Sequence, residues 1–409
     1  MTKRGWRFVA AWTTAVVSAS AASALAFGCG GDDATTATND GGNADGTSGE
    51  GAADGPAIPS DGATSDAARD AGSADAASDV HDSGCDAAIN DPSNCGACGH
   101  DCQGGACSDA GQCQPVVLAN GQTNAVKIVT DATSVYWANN TDPGAIMKCA
   151  RGGCNTTPAI LAQGLHAPLG LAVDATNVYW ANTTNTSGAI MKCAIGGCGG
   201  APTTMLASPD VAHYIATDGT NVYFTDGASG NVNKCPVAGC GAGPTPIATG
   251  QNGALAIATD GTSAFWVNFG AANAVGCSVA GCGATPTVLA ATQAAPYSIA
   301  IDATRVFWTN AVPTTGTVMS CAKAGCAGNP TTIATGQANP WDLATDGAFV
   351  YFTNFSGAAS TIMRCPVTGC VGNPTVLASA QHSASGIAVD ATSIYWTNTG
   401  DQTVMKLAK

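Results

Sequence analysis

The chain has 409 residues, of which only 10% are charged, with 19 cysteines and a formal net charge of −14. The acidity is local: residues 30–113 carry a net −15 and residues 114–409 a net −2. No basic face remains for nucleic acid, so that class of partner is excluded, and the low isoelectric point is a solubility property of the N-terminal segment.

Lys3, Arg4 and Arg7 precede an apolar, Ala-rich run from Phe8 to Phe27, which reads as an export signal over residues 1–28. Two processing outcomes compete. One is cleavage after Ala26 at Ala24-Leu25-Ala26; the other is cleavage before Cys29, with lipid added to its thiol. Six cysteines lie between Cys85 and Cys113 and twelve form six evenly spaced pairs, which leaves Cys29 unmatched and favours the lipid anchor. The stretch Ala26-Phe27-Gly28-Cys29 resembles a bacterial lipobox, with Ala26 where Leu is usual. The resemblance implies a lipoprotein of the bacterial envelope, at the outer membrane or cell surface. No other apolar run is long enough to cross a bilayer, so the membrane is met through the lipid only.

Residues 29–84 are Gly, Ala, Ser, Thr and Asp with almost no large apolar side chain, the composition of a disordered acidic tether. Its root-mean-square reach is about 40 Å. Residues 85–114 then hold Cys85, Cys95, Cys98, Cys102, Cys107 and Cys113 with too few apolar residues for a core. Export and an even count favour a disulfide-stapled module, and zinc on Cys95, Cys98, His100 and Cys102 is the alternative. The run Asn94-Cys95-Gly96-Ala97-Cys98-Gly99-His100-Asp101-Cys102 resembles the Stig1-like cysteine-rich module, departing from it in having only Cys107 where a Cys-Cys pair is usual. That resemblance implies a small extracellular interaction or spacer module.

From residue 115 to 409 one unit is written seven times: an apolar strand ending in Asp, a tight turn, and a strand of the form Val/Ile-aromatic-aromatic. The Asp falls at 131, 174, 218, 260, 302, 346 and 390, a period of 42 to 44 residues made of strands and turns, as in propeller blades. Each unit supplies four short strands. The domain opens on Val116-Val117-Leu118-Ala119, a fourth strand, and closes on Thr403-Val404-Met405-Lys406-Leu407, a third. The fold predicted is therefore all-β: a seven-bladed propeller of four-stranded blades, whose N-terminal strand completes the last blade and removes two open sheet edges.

Most of the repeat describes structure. The aromatic pairs, from Tyr136-Trp137 to Tyr395-Trp396, suit packing between blades, with carbohydrate stacking as the alternative. The seven Asp residues suit turn amides, with a calcium ring as the alternative. The pairs Cys149/Cys154, Cys193/Cys198, Cys235/Cys240, Cys277/Cys282, Cys321/Cys326 and Cys365/Cys370 flank Gly-containing turns and suit disulfides across a hairpin neck. The seventh copy has Leu407 in place of cysteine. The words Tyr223-Phe224-Thr225-Asp226, Tyr395-Trp396-Thr397-Asn398 and Ile387-Ala388-Val389-Asp390 resemble the YWTD repeat of low-density-lipoprotein-receptor-type propellers and, more loosely, NHL propellers. This sequence departs from the YWTD family in its Asn residues, its cysteine hairpins and its seventh unit.

Function is sought where the repeat varies. The inner strands start with Val126-Lys127, Leu169-Gly170, His213-Tyr214, Leu255-Ala256, Tyr297-Ser298, Trp341-Asp342 and Ser385-Gly386, which nominates Lys127, His213, Tyr214, Tyr297, Trp341 and Asp342 as a channel-mouth ligand site. Gln122, Gln251, Gln293, Gln337 and Gln381 recur just before these strands and suggest a ring of amides facing the same ligand or a water-filled channel. The family resemblance implies a monomeric surface-binding propeller for extracellular protein or glycan, without cofactor or metal. The alternatives are a channel-centred hydrolase or lactonase-type enzyme, and a structural part of an envelope assembly. Residues 115–409 contain no Glu, so acid-base chemistry would have to rest on Asp342, Lys127 and His213.

Overall fold

The structure is a computed structural model and describes residues 91–183, 188–208 and 212–409. The export signal, Cys29, the tether and Cys85 lie outside the described residues.

After β1 (Val116–Ala119), the first blade is β2 (Ala125–Thr130), β3 (Ser134–Asn139), β4 (Gly144–Ala150) and β5 (Ala159–Leu165). The second is β6 (Pro168–Val173), β7 (Asn177–Asn182), β8 (Gly188–Ala194) and β9 (Thr203–Ser208); the third is β10 (Ala212–Thr217), β11 (Asn221–Asp226), β12 (Asn231–Pro236) and β13 (Thr245–Ala248). The fourth is β14 (Ala254–Thr259), β15 (Ser263–Asn268), β16 (Asn273–Ser278) and β17 (Thr287–Ala290); the fifth is β18 (Pro296–Ile301), β19 (Arg305–Asn310), β20 (Gly316–Ala322) and β21 (Thr331–Gln337). The sixth is β22 (Pro340–Thr345), β23 (Phe349–Asn354), β24 (Ser360–Pro366) and β25 (Thr375–Gln381), and the seventh contains β26 (Ala384–Val389), β27 (Ser393–Asn398) and β28 (Thr403–Ala408). Every sheet has four antiparallel strands, and the seventh has the order β1-β28-β27-β26, so the ring closes by the expected strand exchange.

Seven buried clusters correspond to the seven interfaces between neighbouring blades. In one, Tyr136, Ile146 and Leu161 of the first blade meet Leu171, Val178 and Trp180 of the second. The first aromatic of each pair thus faces the next blade and the second faces the previous one. Trp137, Trp180, Trp266, Trp308 and Trp396 are all fully buried, and burial on this scale contributes about 2–3 kcal/mol per large side chain.

The repeated Asp is a turn residue. Asp131 Oδ1 accepts from the amides of Thr133 and Ser134 at 2.7 Å, and its Oδ2 accepts the Tyr136 hydroxyl at 2.7 Å. The same set recurs at Asp174, Asp218, Asp346 and Asp390. In the fourth blade, where Phe265 replaces Tyr, Lys323 Nζ reaches Asp260 at 2.8 Å instead.

All six hairpin pairs are disulfides, with Cα–Cα distances between 4.8 and 5.9 Å. In the preceding module Cys95 is bonded to Cys107 and Cys102 to Cys113, and Cys98 is also disulfide-bonded. These sulfurs are thereby withdrawn from the zinc alternative. Among the described residues no helix is long and apolar enough to cross a membrane.

Candidate functional site

The site is prepared by a bulge that recurs near the start of the inner strands. In the sixth blade the register shifts between Pro340 and Leu343, and the freed amide of Asp342 donates to Thr353 Oγ1 at 3.1 Å. A bulge breaks the strict alternation of faces, so two consecutive side chains can project toward the channel. Ser298 and Gly386 are held in the same way by Thr309 and Thr397.

Asp342 is 5% exposed and accepts from three blades besides its own. Lys127 Nζ lies 2.9 and 2.8 Å from its two oxygens, Ser298 Oγ 2.6 Å from Oδ1, and the Ile387 amide 3.1 Å from Oδ2. Lys127 starts two blades away, and Gly386 of the intervening blade leaves its path open. A Cβ on Gly386 would stand 2.5 Å from Val126 O and 3.0 Å from Lys127 Cα.

Beside this pair runs an aromatic wall. Tyr214 of the third blade meets Tyr297 of the fifth edge-on at 6.3 Å, Tyr297 lies 3.9 Å from Trp341, and Trp341 lies 5.2 Å from Phe355. Tyr214 packs against the cluster that contains Leu255 and Ala256 of the intervening fourth blade. Burial raises the pKa of both tyrosines. Phe269 follows Asn268 as Phe355 follows Asn354, and it is 37% exposed. Sequence reasoning missed both phenylalanines. Their signal is the residue after the Asn (Asp226 in the third blade) that ends each second strand, which is aromatic in these two blades only.

His213 precedes Tyr214 on β10. Burial pushes its imidazole down to about 4, and the charge acting against that shift is Asp226, not the Lys127–Asp342 pair.

The five glutamines are not a ligand-facing ring. Gln122, Gln251, Gln293 and Gln337 are buried, and each of the five turns its amide oxygen into the blade that follows it in sequence. Gln293 Oε1 accepts from Trp308 Nε1 at 2.9 Å and from Asn310 Nδ2 at 3.0 Å, while its Nε2 donates to Ala291 O at 2.9 Å. Gln122 and Gln381 make the same three bonds, and Gln251 and Gln337 make two of them. The Asn side chain lies seventeen residues downstream, in the blade that follows each Gln, and is joined in three blades by an indole fifteen residues downstream; these donors take up the acceptor that the sequence reading offered to a ligand.

At the opposite mouth a shallow dish of about 620 Å³ is bordered by Asp174, Asp218 and Asp260. Those carboxylates already serve turn amides, tyrosine hydroxyls or Lys323, so the dish offers walls without free acceptors.

No protein-family model matches the sequence, and no curated protein matches it. Solved structures share the fold. Virginiamycin B lyase from Staphylococcus aureus aligns over 72% of this chain and 98% of its own, at 15% identity and a TM-score of 0.56. Kuenenia stuttgartiensis hydrazine synthase aligns over 71% and 97%, at 13% identity and a TM-score of 0.54. A chain of a nidogen/laminin complex aligns over 63% and 98%, at 18% identity and a TM-score of 0.48. At these identities the likeness is one of fold: the chain is a seven-bladed β-propeller preceded by a disulfide-rich segment.

Proposed function

We propose that this chain is an exported, lipid-anchored binding propeller, non-catalytic and monomeric, whose ligand seats at the channel mouth where the inner strands begin. Cys29 is the anchor and residues 29–84 hold the propeller away from the membrane. The observation that carries the reading is the Tyr214–Tyr297–Trp341–Phe355 wall, a run of contacting rings on blades three, five and six in which Tyr297 is buried and Tyr214, Trp341 and Phe355 are half-buried. Aromatic faces bordered by polar edges suit the apolar face of a sugar ring, so a glycan is the ligand class and an extracellular protein the second.

Binding is favoured over catalysis by how the ionisable groups are used. Asp342 already accepts four hydrogen bonds, and the pKa of His213 is lowered by burial, which makes its imidazole a weaker base. A lyase or hydrolase in this channel would need one of these groups free to move a proton.

The test is a glycan array and a surface-protein capture with the mature chain, wild type beside Trp341→Ala and Phe355→Ala, each with an unchanged melting temperature. Retention that drops up to about tenfold in both variants supports the site, since an aromatic contact contributes about 0.5–1.5 kcal/mol. Retention equal to wild type moves the ligand off this mouth.

A further inference from the structure

The six disulfide hairpins share a task beyond their own blades. Each lies on the outermost strand of the preceding blade, against one apolar residue. The amides of Cys240, Cys282 and Cys370 donate to Met205 O, Ile247 O and Ile333 O at 3.2, 2.8 and 3.0 Å. Cys154, Cys198 and Cys326 Sγ lie 3.5, 3.6 and 3.1 Å from Leu118 O, Leu161 O and Leu289 O. Two of these contacts extend into parallel bridges, Ala119 with Thr156 and Ala248 with Gly283. Six of the seven outer edges, β1, β5, β9, β13, β17 and β21, are covered in this way. Only β25 remains, because the seventh blade carries Leu407 in place of the cysteine and has no hairpin.

What covers β25 is the cysteine module. Leu377 stands in β25 where Leu118, Leu161, Met205, Ile247, Leu289 and Ile333 stand in the other outer strands. It packs against a buried cluster that contains Cys95, Cys102 and Cys113 of the module, Ala378 of β25, and Leu407 and Ala408 of β28. Two polar contacts fix the placement. His100 Nε2 lies 2.8 Å from Lys409 O, with Nδ1 2.7 Å from Cys95 O. Lys406 Nζ, 4% exposed as a residue, donates to Gln103 O at 3.1 Å. The corresponding lysines Lys148, Lys192 and Lys234 donate to Ile195 O, Val237 O and Val279 O on the next blade's hairpin turn. The module therefore replaces a hairpin at the seam in two respects: it covers the preceding blade's edge and it receives the lysine.

We infer that residues 91–114 are the clasp of the ring, an intramolecular surrogate for the seventh hairpin, and not a spacer or a recognition module in their own right. The clasp covers the one outer strand that would otherwise be an open template for edge pairing, at the seam where the two ends of the propeller meet. This inference does not depend on the ligand proposed above.

Hydrogen exchange of the full mature chain tests it, strand by strand, in His100→Ala and in Cys102→Ala/Cys113→Ala. Opening of the clasp is read directly as faster exchange in residues 91–114. The expected result is that exchange in β25 and β28 then rises about tenfold or more while β9, β13 and β17 stay within about twofold of wild type. Cys277→Ala/Cys282→Ala, which opens the fourth hairpin, should loosen β13 in the same local way. An open module with β25 and β28 unchanged, or a rise spread evenly over all blades, overturns the assignment. Should the double cysteine variant fail to fold, His100→Ala, which removes one contact only, decides between these results.

Discussion

At the scale of single residues, the repeat spends its polar side chains on itself. Gln293 holds Trp308 and Asn310, and the second blade shows the alternative: Leu165 stands at the glutamine position, and the Trp180 indole has no partner among the described residues. Gln293→Leu should therefore destabilise by about 1–3 kcal/mol, the cost of buried donors left unpaired; denaturant unfolding measures it. The turn carboxylates give a pH dependence. Burial alone would raise Asp346, but Lys409 Nζ, the amides of Phe349 and Ala348 and the Tyr351 hydroxyl bring it down to about 2. Asp131, Asp174, Asp218, Asp260 and Asp390 are lowered as well. A carboxylate whose pKa is depressed by folding contributes stability that is complete above its unfolded value of about 3.9 and is lost as pH falls through the folded one. The melting temperature should thus stay level down to about pH 4 and fall steeply toward pH 2; a decline beginning near neutrality would contradict this. The roles of Asp and of the aromatic pairs were legible from sequence because each recurs seven times at one place. The direction of the glutamine amides was not, since a register position does not say whether a side chain faces the channel or its own indole.

At the scale of elements, the strands, their order and the exchange of β1 into the last blade could be read from alternation and from the copy at each end of the domain. Two features could not. The bulge that brings Trp341 and Asp342 both toward the channel leaves no mark in an alternating pattern. The bond between Lys127 and Asp342 joins positions 215 apart in a repeat where neither has a counterpart. This pair ties inner strands β2, β18, β22 and β26 together. Asp342→Ala would leave the Lys127 ammonium, the Ser298 hydroxyl and the Ile387 amide without their acceptor, and should cost roughly 3 kcal/mol. Chemical denaturation checks this, and a cost below about 1 kcal/mol, the range of an exposed pair, would show that water replaces the carboxylate.

At the scale of the whole molecule, seven near-identical interfaces make the ring and leave its centre free to vary. The variation is concentrated: Gly170, Ser385 and Gly386 on blades two and seven, aromatic side chains on blades three, five and six. Trp341 stands in a wall with Tyr297 and Phe355 and is half-buried, whereas the other five propeller tryptophans are fully buried between blades. The same contrast supplies the most direct measurement. With fluorotryptophan incorporated, Trp341 should be the one propeller resonance that moves when saccharides retained on the array are titrated in, its identity given by the signal lost in Trp341→Phe. Movement confined to that resonance is the predicted result. A saturating ligand that leaves Trp341 unmoved would contradict the account and put recognition elsewhere on the ring.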